Sequence, residues 1–297
     1  MKFSFTTLDA FTTTHYAGNP VAIVQVPAQD KASLTQDQKQ AIAREFNLSE
    51  VVFLHLPASA SDESFKEVNI DIFTHLAEVP FAGHPTIGSS WYLLNILGKP
   101  TQTLVTKAGP ISILSDEQTG QVKAEIPQAF HIHDVVIPCD FNGLQNPTVS
   151  IVKGMSFILT ILPDLETLAK VDRSLHPDTY NTSPLDKGWD AGLIGTMYLV
   201  AQGTDEFGRK KYRTRMFGSC EDPGTGSASC ALACWLSLQE PKSAGQGPFK
   251  FAFIQGVEMG RQNNISVEVM RDEGGAEIEK VVLSGAGVSV MEGTLEI

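Results

Sequence analysis

Apolar and polar residues alternate with a period of two along much of the chain. That alternation predicts strands at Lys2 to Leu8, Val21 to Val26, Val51 to Leu56 and Glu67 to Phe73, and three short ones within Leu104 to Ile126. In the second half it predicts them at Thr148 to Val152, Ser156 to Leu162, Ala191 to Ala201 and Lys210 to Phe217. Four more follow at Phe249 to Ile254, Ile265 to Met270, Glu277 to Leu283 and Val288 to Ile297. Helical spacing is rarer. Thr35 to Asn47 is a predicted helix, with Thr35 and Gln38 at the spacing of a capping box and Ala41, Ile42 and Phe46 facing inward. Asp164 caps a short one, Leu165 to Val171.

Two apolar runs organise the rest. In Phe217 to Leu236, FGSCEDPGTGSASCALACWL, an acidic pair and a Gly-Thr-Gly-Ser turn lead into a helix carrying Ala228, Ala231, Leu232 and Trp235 at helical spacing. Pro223 is placed in its first turn, where a missing N–H costs nothing. Gly224 and Gly226 allow close backbone approach. Phe81 to Leu94, FAGHPTIGSSWYLL, is a looser counterpart running to about Leu97 and closing at Gly98. Each helix start offers bare backbone amides, which favour an anion, and each has an ionisable residue at its mouth, His84 or Asp222. Two such starts in opposite halves point to a duplicated architecture with a cleft between; taken singly, each is also what an ordinary buried helix with a tight entry looks like.

Between these elements, Ala17-Gly18-Asn19-Pro20 is predicted as a turn, and by its chemistry a plain one. Ser174 to Trp189 and Glu240 to Gly247 are loops, and Phe130 to Asn146 an irregular crossover. Many strands and few helices, one helix central to each half, make an α+β fold. The expected domains are 1–128, completed by the C-terminal strand 286–297, and 129–285.

Composition narrows the partners. The 297 residues carry 22 basic and 34 acidic side chains, a net charge of −12, which excludes nucleic acid and an anionic membrane as partners. No apolar run has membrane-spanning length, and MKFSFTTLDAF lacks the core of a signal peptide. With only 4 cysteines there is no disulfide framework, so a reducing, cytoplasmic setting is expected.

Candidate chemistry centres on Glu50, at a helix-to-strand junction before a wholly apolar run. It is either a solvated loop residue or one drawn inward, where burial would raise its pKa and suit it to general acid/base work. His131 and His133 have ligand-like spacing, but no third ligand is near in sequence and a loop location is expected, so no metal is assigned. Cys230 and Cys234 are small packing residues on the second central helix. Cys220 lies two residues from Asp222, with nothing nearby to lower its pKa.

Several stretches together resemble the phenazine-biosynthesis-protein PhzF family, within the diaminopimelate epimerase-like superfamily. They are Asp9-Ala10-Phe11 with Gly18-Asn19-Pro20-Val21, Leu48-Ser49-Glu50-Val51-Val52-Phe53, Phe73-Thr74 with Glu78 to Thr86, Arg215-Met216-Phe217, Glu221 to Ala228, Gln255-Gly256 with Met259-Gly260-Arg261, and Ser284-Gly285 with Glu292-Gly293. The resemblance covers nearly the whole chain. It implies two pseudo-symmetric domains, each a curled, mostly antiparallel sheet around a central helix, with the active site in the cleft between them. It also implies a homodimer, no cofactor, and a small-molecule carboxylate as substrate.

The best-known reaction of the family is a proton-shuttling isomerisation of 2,3-dihydro-3-hydroxyanthranilate. The Leu-Ser-Glu match carries the proton-carrier role to Glu50, and the other motifs make His84 and Asp222 catalytic and Gly83, Ser227, Gly226 and Asn19 substrate-binding. Asp222 either holds the substrate or orients His84. Where related epimerases use a thiol at each helix start, this chain has Ala82-Gly83-His84 and Asp222, against a two-thiol racemase. Asp71 and His75 depart from an Arg-x-Phe-Thr-Pro pattern, a charge reversal expected near the cleft. The function expected is therefore a cofactor-independent isomerase; the rivals are a non-catalytic small-anion binding protein and an epimerase.

Overall fold

The computed structural model describes residues 1–297, which divide into two compact units, Met1–Ile126 with Ser284–Ile297, and Pro127–Leu283. No helix is long and apolar enough to cross a membrane.

The first unit contains strands β1 (Lys2–Ala10), β2 (Asn19–Val26), β3 (Glu50–His55), β4 (Glu67–Thr74), β5 (Glu78–Val79), β6 (Thr103–Thr106), β7 (Gly109–Asp116) and β8 (Gln121–Glu125). Its helices are α1 (Gln36–Phe46) and α2 (Gly83–Trp91), the latter prolonged by a π-helical turn, Tyr92–Ile96. The second unit contains β9 (His131–Cys139), β10 (Leu144–Val152), β11 (Met155–Ile161), β12 (Leu193–Thr204), β13 (Lys210–Phe217), β14 (Glu221–Asp222), β15 (Phe249–Gln255), β16 (Asn263–Arg271) and β17 (Ile278–Gly285). Its helices are α3 (Leu165–Lys170) and α4 (Gly226–Gln239). The last strand, β18 (Gly287–Glu296), pairs antiparallel with β1.

Strand pairing repeats between the units. From β1 to β2, β3, β4, β6 and β7 the pairings run antiparallel, parallel, antiparallel, parallel, antiparallel. From β10 to β11, β12, β13, β15 and β16 they run in the same sequence. In both units a two-residue strand folds back on its neighbour just before the long helix, β5 on β4 and β14 on β13. The duplication expected from the two helix starts is thus present in the whole strand order. Such short strands have no periodicity to read and are absent from the sequence-based elements.

In the first unit the sheet separates two helices. Phe3, Val24, Val51, Phe53 and Phe73 pack on Ala43, with Ile42 and Phe46 of α1 against the same cluster. The helix begins with the expected capping box, Thr35 with Gln38, and ends at Asn47 in the left-handed conformation. On the opposite face lies α2, buried from Gly83 to Ser90 against β1, β2, β3, β8 and β18. Gly88 sits so close to β2 that a Cβ there would come within 2.7 Å of Val21 Cγ1. In the second unit α4 is buried from Gly226 to Cys234 and touches β10, β11, β15 and β16.

Three local expectations change. Phe130 to Asn146 is not an irregular crossover but mostly strand, β9 paired antiparallel with β10. The alternation is masked because two of its inward positions are His131 and His133, whose polar atoms find partners within the unit. The 17–20 turn is shorter than expected, since Asn19 and Pro20 already pair with Ala10 and Asp9. Pro223 lies ahead of α4 rather than in its first turn, because the acidic pair before it forms β14.

Candidate active site

Glu50 is the first residue of β3, reached through the left-handed cap of α1 and the link Leu48-Ser49. Val51 and Phe53 face α1, so alternation turns Glu50 toward the α2 face. The inward alternative for this carboxylate is the one the fold adopts: its side chain is 19% exposed. His84, in the first turn of α2, is 4% exposed, with Nε2 3.5 Å from Glu50 Oε2. That buried nitrogen makes no hydrogen bond. Gly83 precedes it as the first helical residue, and Pro85 occupies the first turn, where its missing N–H is harmless. Asn19 is buried at the start of β2.

Helix entry distinguishes the two central helices from the peripheral ones. Thr35 caps α1 and Asp164 caps α3, each accepting a backbone N–H. Neither Ala82 before α2 nor Thr225 before α4 supplies a side-chain cap. A buried helix start without a cap leaves amide donors and a positive dipole end for a ligand.

Before α4 the chain makes a tightly bonded turn. Asp222 Oδ1 accepts the Gly224 N–H at 3.1 Å, and Oδ2 accepts the Thr225 hydroxyl at 2.6 Å. Gln255, fully buried, donates through Nε2 to the Asp222 carbonyl at 2.8 Å and to Thr225 Oγ1 at 3.0 Å. Its Oε1 accepts the Thr225 N–H at 3.1 Å. Gly224 is required here for packing rather than for ligand approach, since a Cβ would fall 2.2 Å from Asn263 Oδ1. Gly226 and Ser227 follow as the first residues of α4, and both are buried.

Glu221, beside Asp222, is gripped by Arg215 in a two-pronged pair, Nε to Oε1 at 2.7 Å and Nη2 to Oε2 at 2.8 Å. Arg215 Nη1 also donates to the carbonyls of Leu168, Ala169 and Val171, tying the end of α3 to the same point. Thr225, Gln255 and Arg215 were not singled out by sequence reasoning for these roles. Their signal was there in the motifs Arg215-Met216-Phe217 and Gln255-Gly256, but which polar groups they meet depends on strand register.

The structure thus brings Glu50, His84 and Gly83 together in one unit, and Asp222, Gly226 and Ser227 together in the other. It moves Asp71 away from the first group. Asp71 pairs across from Phe53 and bonds Lys39 of α1, so it lies on the α1 face of the sheet, opposite Glu50. His75 is exposed, with its carbonyl accepting from Arg44.

His131 and His133 lie on β9, and Asp186 joins them from the loop before β12, ligand-type atoms all within 4.8 Å. That corrects the expected loop location and the missing third group. Asp186 Oδ2 meets His131 Nε2 at 2.7 Å, the Asp186 N–H donates to His133 Nδ1 at 3.3 Å, and His133 Nε2 meets Ser150 Oγ at 2.8 Å. With both ring nitrogens of His133 engaged, these ties fasten the loop to the sheet. Burial, and then the charge of His131, hold His133 below the usual histidine range. Cys230 and Cys234 are fully buried, which pushes both thiols up; Cys220 is exposed.

Both the sequence and the fold are similar to those of known proteins. The family model described as phenazine biosynthesis-like protein matches residues 8–293. A trans-2,3-dihydro-3-hydroxyanthranilate isomerase of Pseudomonas chlororaphis is 30% identical, with 97% of each chain covered. A crystal structure of a Bacillus anthracis phenazine biosynthesis protein of the PhzF family superposes over 100% of both chains, with TM-score 0.74 and 23% identity. A hydroxyproline epimerase from Agrobacterium vitis shares the fold over 99% of this chain and 92% of its own, with TM-score 0.65 and 16% identity. The chain therefore belongs to the phenazine biosynthesis-like protein family, and it is an enzyme of the isomerase class.

Proposed function

We propose that the protein is a cofactor-independent isomerase that moves a proton within a small cyclic or amino-acid-like carboxylate, in the manner of 2,3-dihydro-3-hydroxyanthranilate isomerisation. The observation that carries this is the Glu50–His84 pair, 3.5 Å apart at the uncapped entry of α2. Moving a proton between carbons requires a base whose conjugate acid gives the proton back, and a half-buried carboxylate does both. As Glu50 takes the proton, negative charge spreads into the conjugated substrate. His84 and the backbone amides at Gly83 and Gly226 are donors for that charge; one such donor lowers a barrier by about 3 kcal/mol. Asp222, Ser227 and Asn19 bind the substrate's polar groups. The turn that bonds the Asp222 carboxylate to Gly224 and Thr225 fixes it at the entry of α4, which supports the role of holding the substrate. The negative net charge supports a small-molecule partner rather than nucleic acid, and the family resemblance supports a homodimer.

Deuterium uptake followed by NMR tests this. Protein and its Glu50→Gln variant are incubated in D₂O with 2,3-dihydro-3-hydroxyanthranilate and a panel of cyclic amino acids. The proposal expects the wild type to label or isomerise a compound and the variant to be slower by about 10²–10⁴-fold. Equal labelling by both removes Glu50 as the base. Labelling with inversion at one carbon makes the protein an epimerase instead.

A further inference from the structure

The face of the first unit's sheet turned away from Glu50 holds a cavity of about 510 Å³ between α1 and strands β3, β4 and β6. That is the size of an ordinary small-molecule site. At its floor one carboxylate oxygen, Asp71 Oδ2, takes both Lys39 Nζ at 2.5 Å and His55 Nε2 at 2.7 Å. The Lys39 and His55 side chains are 8% and 6% exposed. Burial pulls the Asp71 pKa upward, but the hydrogen bonds from His55 and Lys39 and their charges outweigh it and hold the carboxyl at about 2.

Cations outnumber carboxylates in this cavity, Lys31, Lys39 and Lys107 against Asp71 and Glu78. A lysine ammonium has three N–H groups, and Asp71 accepts one of those of Lys39. His55 Nδ1 is buried with no hydrogen-bond partner. Gln36, Asn69 and Lys31, also in the lining, are exposed at its mouth, where their side chains are free to turn to a ligand. At the rim Lys107 and Glu78 cancel each other at 2.8 Å. With Lys39 offset by Asp71, the charge of Lys31 is left over, in a chain whose net charge is −12. A buried polar atom without a partner, as at His55 Nδ1, is uncommon, and one beside a surplus cation is what an oxyanion-bearing ligand satisfies.

We propose that this cavity is a second ligand site, separate from Glu50 and His84, for a small organic oxyanion, a carboxylate or a phosphate. Lys39 and Lys31 meet its charge, Gln36 and Asn69 bond its oxygens, and His55 Nδ1 bonds its polar end while Asp71 holds the other side of the ring.

The test is a titration of the ¹⁵N-labelled full chain with inorganic phosphate and, separately, succinate at matched ionic strength. The readouts are the Asn69 and Gln36 side-chain amide signals and the His55 ring signals. The proposal expects saturable shifts with at least one probe, at a Kd of about 1 mM or tighter. Saturation by one probe alone assigns the carboxylate or the phosphate as the ligand group. In the double variant Lys31→Ala/Gln36→Ala, both on exposed residues, binding read at Asn69 weakens about tenfold or more. In Glu50→Gln it is unchanged, which separates this site from the proposed catalytic one. Absence of saturable shifts with both probes overturns the proposal. So do shifts that survive the double variant, or that vanish in Glu50→Gln.

Discussion

The buried Nε2 of His84 stands 3.5 Å from Oε2 of Glu50, on the face of the first unit's sheet that holds α2. The carboxylate's reach is fixed by its place as the first residue of β3, so side-chain length matters more than charge alone. Glu50→Asp keeps the carboxylate but withdraws it by one methylene. A displacement of that order costs about 10²-fold when reacting groups must meet. The expected result is a fall in kcat of about that size with KM changed only a few-fold. Steady-state kinetics on the substrate found by deuterium labelling checks it. A variant as fast as the wild type would mean that Glu50 is not the group in contact with the moving proton.

Thr225 joins the Asp222 carboxylate to Gln255, at 2.6 Å and 3.0 Å. Thr225→Val keeps the shape and removes the hydroxyl, leaving buried Gln255 short of a partner. A stability loss of about 1–3 kcal/mol is expected, seen as a lower urea midpoint. If Asp222 binds substrate, KM rises more than kcat falls, because the chemistry on Glu50 is untouched. Thr225→Ser restores both quantities. Loss of stability with unchanged KM would confine Thr225 to a structural role.

What the chain discloses before folding is uneven, for physical reasons. Thr35 and Gln38 act through neighbours along the chain, so the capping box and the helix it opens were legible. The motifs around Glu50, His84 and Asp222 were legible as chemistry, because each sits beside a helix or strand start that the pattern marks. Asp71 was placed near the wrong group. Its side is decided by pairing with Phe53, and register across strands is not written in one strand's sequence. A signal did exist, since Asp71 shares its alternation parity with the apolar Phe73, where a charge needs a partner. Lys39 supplies it from α1, buried on a helix whose other charged residues, Asp37, Arg44 and Glu45, are exposed. Strand β9 was missed because its inward positions begin with two histidines.

The Asp71 cluster makes a prediction about acid. Its folded pKa, about 2, lies below the ordinary 3.8, so below pH 3.8 the unfolded chain binds the proton first. The cluster's contribution is therefore complete above pH 3.8 and is lost as pH falls toward 2. The shift corresponds to about 2 kcal/mol. Asp71→Asn should cost the protein stability at pH 7, where Lys39 and His55 lose their carboxylate. The gap between variant and wild type should narrow by about 2 kcal/mol as pH falls through that window. Urea unfolding at neutral pH and near pH 2 reads it directly. A gap constant across that range would mean that Asp71 is not held ionised by its two neighbours.

Arg215 carries the last prediction. It is 7% exposed, pairs both guanidinium prongs with Glu221, and uses Nη1 on three carbonyls at the end of α3. Lysine cannot reproduce the fork, and methionine leaves Glu221 half-buried without a counter-charge. Arg215→Met is expected to cost about 3–5 kcal/mol, and Arg215→Lys less but still more than a surface change. The double variant Arg215→Met/Glu221→Leu should recover most of the loss, because the penalty comes from stranding one charge rather than from losing the pair's attraction. Activity should not recover with stability. Glu221 anchors β14, and Asp222 is the next residue, so releasing that strand loosens the turn that presents the carboxylate to substrate. A thermally stable double variant with raised KM would place Arg215 as a positioning residue for Asp222. A double variant with wild-type KM would leave it a fastener of α3 alone.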